Sequence, residues 1–368
     1  MGYRPRGQVA DATSRPRSVD AQGTPTLPRR GRELPGLEEH YAAQGIDHVL
    51  VDAATLVRAA GGADRDCTAR PAVPDVALGL PDEVVHDGVR IGDSEVVAFA
   101  RDLSVAYHVW SPSGGYPGAA WYRDSYALGS FGCHPSWRVT DHTSHPNDKA
   151  VYEPGAASEQ VSRDVAHLHG VLRAVLDPRP GQLVVAAYDT ELFGHWWFEG
   201  VDFLAGLLRA VAADDQLRTT TTASRLARRP PTRQLSLPES SWGFAKGHAS
   251  WATAETQPMW QALRDAEQRA RSSLAGGAGS TAARDQVARE LALLASSDWP
   301  FMATRGQSAG YADERVRDHA SALHQLCDLI DAGASSPDAD ARIAAIHARD
   351  DAPRDPSALL LALDPPGS

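Results

Sequence analysis

Cysteine is scarce in this chain, three among 368 residues. The three, Cys67, Cys133 and Cys327, are far apart and odd in number, which argues against a disulfide framework and for a reducing compartment. Positive charge is also short. With 36 Lys and Arg against 47 Asp and Glu, the formal net charge is -11, and such a surface repels phosphate backbones and anionic lipid. Neither nucleic acid nor a membrane is expected as a partner; a neutral ligand suits this balance better. No hydrophobic run approaches the roughly 20 residues of a membrane-spanning helix. The opening MGYRPRGQVADATSRPRS has arginines but no apolar stretch of the kind a secretory signal needs, so a cytoplasmic protein is expected. A GxSxG elbow, a glycine-rich phosphate loop and internal repeats are all missing. What the chain does have is apolar material, 42% of its residues, enough for one large domain and a smaller one.

Residues 4 to 35 are rich in Arg, Pro, Gly, Ser and Thr and poor in aliphatics. They cannot bury enough surface to offset their ordering entropy, so 1–35 is expected to be a disordered arm or insertion. The pattern changes at Gly36. LPGLEEHYAAQG reads as a helix closed by Gly45, and HVLVDA as a buried strand ending near Asp52. Two further buried strands are expected, EVVAFA ending at Arg101 and Asp102, and LVVAAY ending at Asp189, the second followed by a helix through VDFLAGLLRAVAA. Each strand delivers polar groups at its C-terminal end, the edge at which α/β barrels hold their sites. The fold class expected is α/β, a partial barrel over 36–213. A polar connector over 214–257 and an all-α subdomain over 258–350 follow. There, MWQALRDAEQRARSSLAG, TAARDQVARELALLASS and YADERVRDHASALHQLCDLIDAG carry apolar residues at three- and four-residue steps. GGAGST, 276–281, reads as a flexible joint, and the Asp/Pro-rich tail over 351–368 as poorly ordered.

The stretch richest in chemistry is AYDTELFGHWWFEG, which sets Asp189, Glu191, His195 and Glu199 among four aromatic residues directly after a strand. Aromatic faces stack on the C–H faces of sugar rings, and adjacent carboxylates can move the protons that glycosidic chemistry needs. An aromatic core cluster with solvated charges is the plainer reading; the strand-end position and the density of ionisable groups favour a site. Cys133, His134, Asp141, His142 and His145 lie within thirteen residues, and zinc takes such ligands. Their spacing matches no tight signature, however, and no metal or cofactor is expected.

At AYDTELFGHWWFEG the resemblance becomes specific. The segment resembles the fourth signature region of glycoside hydrolase family 57, in which the first acidic residue is the general acid/base, a role that falls by this match on Asp189. AFARDLSVAYHVWSPSGGYPGAAWYRDSY resembles the RDL, VWS and GYPG segment of the family's branching enzymes. LPESSWGFAKGHASW resembles their PEGSWG segment, and LLASSDWPFMATRGQSAGYADERVRDH their helical SSDWPF and GQ region. Four segments in order span Gly36 to about Asp318. The resemblance implies an α-glucan substrate of the amylose or glycogen type and transfer from α-1,4 to α-1,6 linkage. It also implies substrate-binding roles. Arg101 would hold sugar hydroxyls or the acid/base loop, unless it only forms a surface ion pair with Asp102. Gly118 would let backbone approach a sugar, unless it only makes a Pro-Gly turn. Trp242 would be a stacking platform, or otherwise a domain-interface residue. Asp298 and Gln307, flanking WPF and RG that interrupt the helical pattern, would bind glucose hydroxyls, with helix capping as the alternative for Asp298. Trp110, Tyr116, His195, Trp196 and Trp299 complete the candidates.

The second carboxylate that retaining glycosidases need stands, in the family, in a segment of the form PEC(A/G)YRP. This sequence opens MGYRP, so the match begins just past that Glu, and the nucleophile is expected to be absent from the 368 residues, with the true start lying upstream. A chain inactive by itself follows from this. Two other readings stay open: a non-catalytic glucan-binding or regulatory protein, and a metal-dependent carbohydrate deacetylase on a similar barrel. Among glucan enzymes of the family, hydrolysis and transfer to 4-hydroxyls are the alternatives to branching. PESSWG in place of PEGSWG, and Gly247 ahead of His248 where an acidic residue is common, bear on substrate detail.

Overall fold

The computed structural model describes residues 17–20, 36–61, 82–110, 114–125, 137–141, 143–145, 148–176, 181–241, 247–306 and 310–363. Among these the chain divides into two compact units, one ending at Ser241 and one beginning beyond it. The expected connector over 214–257 is therefore split, its first part belonging to the α/β unit.

The first unit runs β1 (Arg17–Asp20), α1 (Leu37–Ala43), β2 (Ile46–Asp52), α2 (Ala53–Ala59), α3 (Asp82–Asp87), β3 (Val89–Ile91), β4 (Val97–Arg101), α4 (Leu103–Trp110), α5 (Pro154–Leu176), α6 (Gly200–Ala213), α7 (Thr222–Arg228) and β5 (Gln234–Leu235). The sheet order is β1-β2-β4-β3-β5. β1 falls within the expected arm, and its four residues pair parallel to β2; the rest of 1–35 lies outside the described residues. A strand edge offers unpaired N–H and C=O groups whatever the side chains beside it. β2 and β4 run parallel, with Asp52 opposite Arg101 at their C-terminal ends. β3 is antiparallel to β4, entered through Gly88 at φ 77°, where an added Cβ would stand 2.8 Å from Phe99 Cδ1. Val49, Leu56, Val84, Val89, Ala98 and Leu103 form the core under this sheet.

The expected strand LVVAAY contracts to a single bridge, Arg101 to Val185, parallel. The reason lies in β4. One side of it is occupied by β2, and on the other β3 pairs with Val97 and Ala98, so that the newcomer meets β4 only at its last residue, Arg101. Leu183 N–H donates to His86 O and Asp102 N–H to Val185 O, both at 2.9 Å, which holds the segment as a short splice beside β4. It is half-buried, with Ala186 exposed, where a buried strand was expected. The long helix α5 had no strong sequence signal. Its buried residues, Ala157, Val161, Asp164 and Leu168, form a narrow stripe interrupted by a carboxylate. That stripe joins α4 and α6 around Val105, Tyr122, Trp197 and Phe203.

The second unit comprises α8 (Gln257–Leu274), α9 (Thr281–Leu294), α10 (Asp298–Arg305), α11 (Tyr311–Asp331), α12 (Pro337–Arg349) and α13 (Ser357–Leu363). Trp260, Leu263, Val287, Leu291, Leu323 and Leu326 make its core. WPF opens a helix here and does not interrupt one: Pro300 falls in the first turn of α10, where its missing N–H leaves no bond unmade. Gly306, left-handed at φ 63°, closes that helix. The tail also departs from expectation. Arg289 donates from Nε to Pro353 O and from Nη2 to Arg354 O, each at 3.0 Å, and Gln286 Nε2 donates to Asp350 O at 2.8 Å. These bonds seat α13, whose Leu363 is buried.

Candidate active site

The parallel run of β2, β4 and the 183–185 splice brings three C-terminal ends to one edge of the first unit. Asp52 and Arg101 are register partners, and Val185 bridges to Arg101, so Asp189 follows four residues beyond that edge. Asp52 is spent twice. Its Oδ1 accepts the Ala54 N–H at 3.0 Å, capping α2, and its Oδ2 lies 2.9 Å from Arg101 Nη2. The ion pair of Arg101 is thus with Asp52 and not with its neighbour Asp102. Asp102 instead caps α4 through the Val105 N–H at 2.8 Å, accepts the Ser104 hydroxyl and faces His86 Nε2 at 2.7 Å. Burial alone would raise this carboxyl, but the bonds to His86, Val105 and Ser104 outweigh it and hold it below the ordinary range.

Asp189 itself is exposed. It precedes a 3-10 turn, Thr190–Leu192, and its carbonyl accepts the Leu192 N–H at 3.2 Å. The loop that follows is held from inside. Gly194 N–H donates to Trp197 O and Trp197 N–H to Leu192 O, both at 2.8 Å, while Gly200 N–H reaches Trp197 O at 2.9 Å. Gly194 sits at φ 94°, which the tight return requires and a side chain would resist. Tyr188, before the loop, donates its hydroxyl to Val105 O at 3.2 Å. Trp197 is the loop's anchor, 1% exposed and packed on Phe203 and Tyr122 at centroid distances of 4.7 and 5.5 Å. Trp196 and Phe198 point the other way, 45% and 49% exposed. The segment is therefore both of the things its composition allowed: one aromatic belongs to the core and its neighbours face outward. His195 is exposed, edge-on to Trp196 at 4.7 Å.

Beside this loop lie Tyr122 and Asp164, which the sequence did not single out, and Glu199, which it named among the ionisable groups of the segment. Tyr122 donates its hydroxyl to Asp164 Oδ2 at 2.5 Å, and Gln160 Nε2 donates to the other oxygen at 2.8 Å. Burial raises the Asp164 carboxyl despite both bonds, and burial together with Asp164 pushes the Tyr122 phenol far up. Glu199, 4% exposed, accepts the Arg123 N–H at 3.1 Å; burial raises its carboxyl, with Tyr152 and the Arg123 amide offsetting part of the shift. A carboxylate just ahead of an apolar helix was the one available signal for Glu199.

Among the remaining candidates, Tyr116 is buried, its hydroxyl 2.7 Å from His167 Nδ1 and its ring stacked on His108 at 5.9 Å. Gly118 ends a 3-10 turn, Tyr116–Gly118, and donates to Gly115 O at 3.0 Å. Trp110 packs against the α4–α5–α6 core. In the second unit, Asp298 is exposed at the start of α10 and accepts the Ser296 hydroxyl at 2.9 Å. The expected cap is Ser297 by position, and Asp298 is the helix's first residue. Trp299 donates its indole N–H to Leu293 O at 2.8 Å and stacks on His319 at 6.2 Å. Trp242 and Gln307 lie outside the described residues, as do Cys133, His134 and His142. Asp141 is exposed and accepts from Thr143 and Ser144.

Comparison with known proteins agrees with this architecture. A family profile described as 1,4-alpha-glucan branching enzyme, C-terminal, matches residues 258–352, from the start of α8 to just past α12. A probable 1,4-alpha-glucan branching enzyme of Mycobacterium tuberculosis (strain CDC 1551 / Oshkosh) is 35% identical over 315 residues, 81% of this chain and 55% of that protein. The 1,4-alpha-glucan branching enzyme TK1436 of Thermococcus kodakarensis is 34% identical over 249 residues, 65% of this chain and 37% of the relative. The crystal structure of TK1436, a GH57 branching enzyme in complex with glucose and additives, superposes with a TM-score of 0.73 at 28% identity. It covers 89% of this chain and 62% of its own. The chain thus spans about half the length of the curated relatives it matches. At 35% identity over 81% of its length to a branching enzyme, and with the fold of a GH57 branching enzyme, the chain belongs to the family of GH57-type 1,4-alpha-glucan branching enzymes.

Proposed function

We propose that the protein containing this chain is a 1,4-α-glucan branching enzyme, and that Asp189 is its general acid/base. The observation that carries the reading is an exposed carboxylate at the C-terminal edge of parallel strands, on a loop whose backbone is bonded to itself, with aromatic faces beside it. In a retaining transfer the acid protonates the glycosidic oxygen as the bond to the leaving chain breaks. The same group, now a base, takes the proton of the incoming 6-hydroxyl. The sugar is held meanwhile on a second carboxylate about 5 to 5.5 Å from the first. No residue of the 368 is assigned that nucleophilic role.

The substrate is an α-glucan of the amylose or glycogen type, which matches a net charge of -11, since a neutral polymer is not repelled. Trp196 and His195 are proposed to line the path of the chain beside Asp189, and Arg101 to fix the edge from which the loop departs; Asp298 and Trp299 are proposed as glucan contacts of the helical unit by itself. Glycogen synthesis in the cytoplasm is the proposed setting; among the described residues no helix is long and apolar enough to cross a membrane.

The test is Asp189→Asn, assayed beside the wild type for new α-1,6 linkages in amylose in the full protein that contains this chain. An amide is nearly isosteric but delivers no proton, so a loss of about 10² to 10⁴ in rate is expected with glucan binding kept. Near-normal branching by that variant would remove Asp189 from the role. Wild-type protein that binds glucan without forming branches would favour a regulatory binding protein.

A further inference from the structure

The buried carboxylate of Glu199 has no part in the chemistry above, yet it stands where the acid/base loop re-enters the fold. It is the residue before α6, and ten positions separate it from Asp189. Its Oε1 accepts the backbone N–H of Arg123 at 3.1 Å. The Tyr152 phenol is a further neighbour, pushed upward by burial and then by the Glu199 carboxyl beside it. The Arg123 guanidinium lies over the Phe198 ring at 4.3 Å and over the Tyr152 ring at 5.5 Å, within cation-π range. Phe198 and Tyr152 meet edge to face at 6.3 Å. One residue further on from Asp124, the Ser125 hydroxyl donates to the carbonyl of Trp196. Three segments remote in sequence, 121–125, 152 and 196–200, thus converge on one carboxylate.

That geometry has a mechanical meaning. The loop leaves the sheet at Tyr188, pinned to Val105 O, and is bonded to itself through Leu192, Gly194 and Trp197. Its far end needs an attachment outside itself, and the Glu199 to Arg123 bond with the Ser125 to Trp196 bond supplies it. A buried carboxylate is costly to desolvate; a purely structural tie at this place could be made by an apolar contact, as Trp197 already makes next door.

We infer that Glu199 is a positioning residue of the transfer reaction, holding the Asp189 loop against the Arg123–Tyr152 wall. This rests on the function proposed above. Misplacing a catalytic group by about 1 Å costs on the order of 10²-fold in rate, while the aromatic faces that bind glucan stay where Trp197 anchors them. Loss of the tie therefore lowers kcat and spares KM.

Two measurements test it. On the 368-residue chain, hydrogen exchange should show that Glu199→Ala loses protection in peptides covering Arg123 and 192–200, while Glu199→Gln, whose Oε1 still accepts the Arg123 N–H, keeps it. In the branching assay, Glu199→Ala should lose about 10- to 100-fold in kcat with KM for amylose within about threefold, and Glu199→Gln should recover most of the loss. Asp189→Asn run in parallel separates the two readings. If it is inactive while Glu199→Ala matches wild type, the positioning role falls and the function stands; if Asp189→Asn branches like wild type, Asp189 loses its role and the positioning argument falls with it, and if wild-type protein forms no branches the proposed function falls. Equal losses in kcat and KM, or no rescue by Gln, would also overturn the inference. Should Glu199→Ala fail to fold, Ser125→Ala, which removes the hydroxyl bonded to the Trp196 carbonyl, carries the test: lowered kcat at unchanged KM supports the tie, and wild-type kcat with wild-type exchange refutes it.

Discussion

Removing Arg101 should unfold the α/β unit before it affects anything else. Asp52 beneath it is fully buried at the side chain, Arg101 is 15% exposed, and the two are paired at 2.9 Å. Taking away one partner of a buried pair leaves an uncompensated charge and typically costs about 3–5 kcal/mol. The Ala54 N–H still donates to Asp52 Oδ1, which places Arg101→Met near the lower end, about 3 kcal/mol. For a unit of roughly this size each kcal/mol moves Tm by about 2–4 °C, so a fall of about 6–12 °C follows. Asp52→Asn keeps an oxygen that can cap α2 and removes the charge. The double variant should therefore be more stable than Arg101→Met alone, giving a coupling of opposite sign to the single loss. Urea unfolding followed by circular dichroism on the two single variants and the double variant measures it. If Arg101→Met costs under about 1 kcal/mol, or the double variant is no better than the single, the pair is not a buried one and the edge is held by something else.

Other outcomes follow from the same geometry. Arg289→Ala frees two carbonyls of the tail, so limited proteolysis should cut between 350 and 357 much faster than in wild type, with α8, α9 and α11 left intact. Glu199 and Asp164 both have carboxyls raised by burial. Their contribution to stability is full below the ordinary carboxylate range and is lost as pH rises through their raised values. Glu199→Gln and Asp164→Asn should flatten that part of a Tm-against-pH curve, and an unchanged slope would count against both assignments.

Much of the site was legible in the chain because its signals are local. The strands ending at Asp52 and Arg101, the helix after Glu199 and the three amphipathic helices α8, α9 and α11 follow from runs and periods that neighbouring residues set among themselves. A carboxylate following a strand and preceding aromatics is likewise a local pattern, and it led to Asp189. The tail over 351–368 misled for a related reason. Its composition is that of an unpacked segment, yet Arg289 on α9, more than sixty positions away, donates to the carbonyls of Pro353 and Arg354, and Gln286 to that of Asp350 just ahead of them.

What the tertiary structure alone decided is which partner each polar group has. Sequence adjacency suggested Asp102 for Arg101; register gave it Asp52, because parallel strands place their last residues side by side while neighbours on one strand face opposite ways. LVVAAY has the composition of a buried strand, but Leu183 bonds to His86 at the end of α3 and only Val185 reaches β4, at Arg101. WWF reads as one aromatic block, and only packing on Phe203 and Tyr122 sends Trp197 inward and leaves Trp196 and Phe198 outside. Glu199 became meaningful through Arg123 and Tyr152, whose approach depends on how the loops close. Periodicity and turn chemistry act over a few residues and are written in order along the chain, whereas pairing across a sheet or a loop depends on which other segments compete for the same edge.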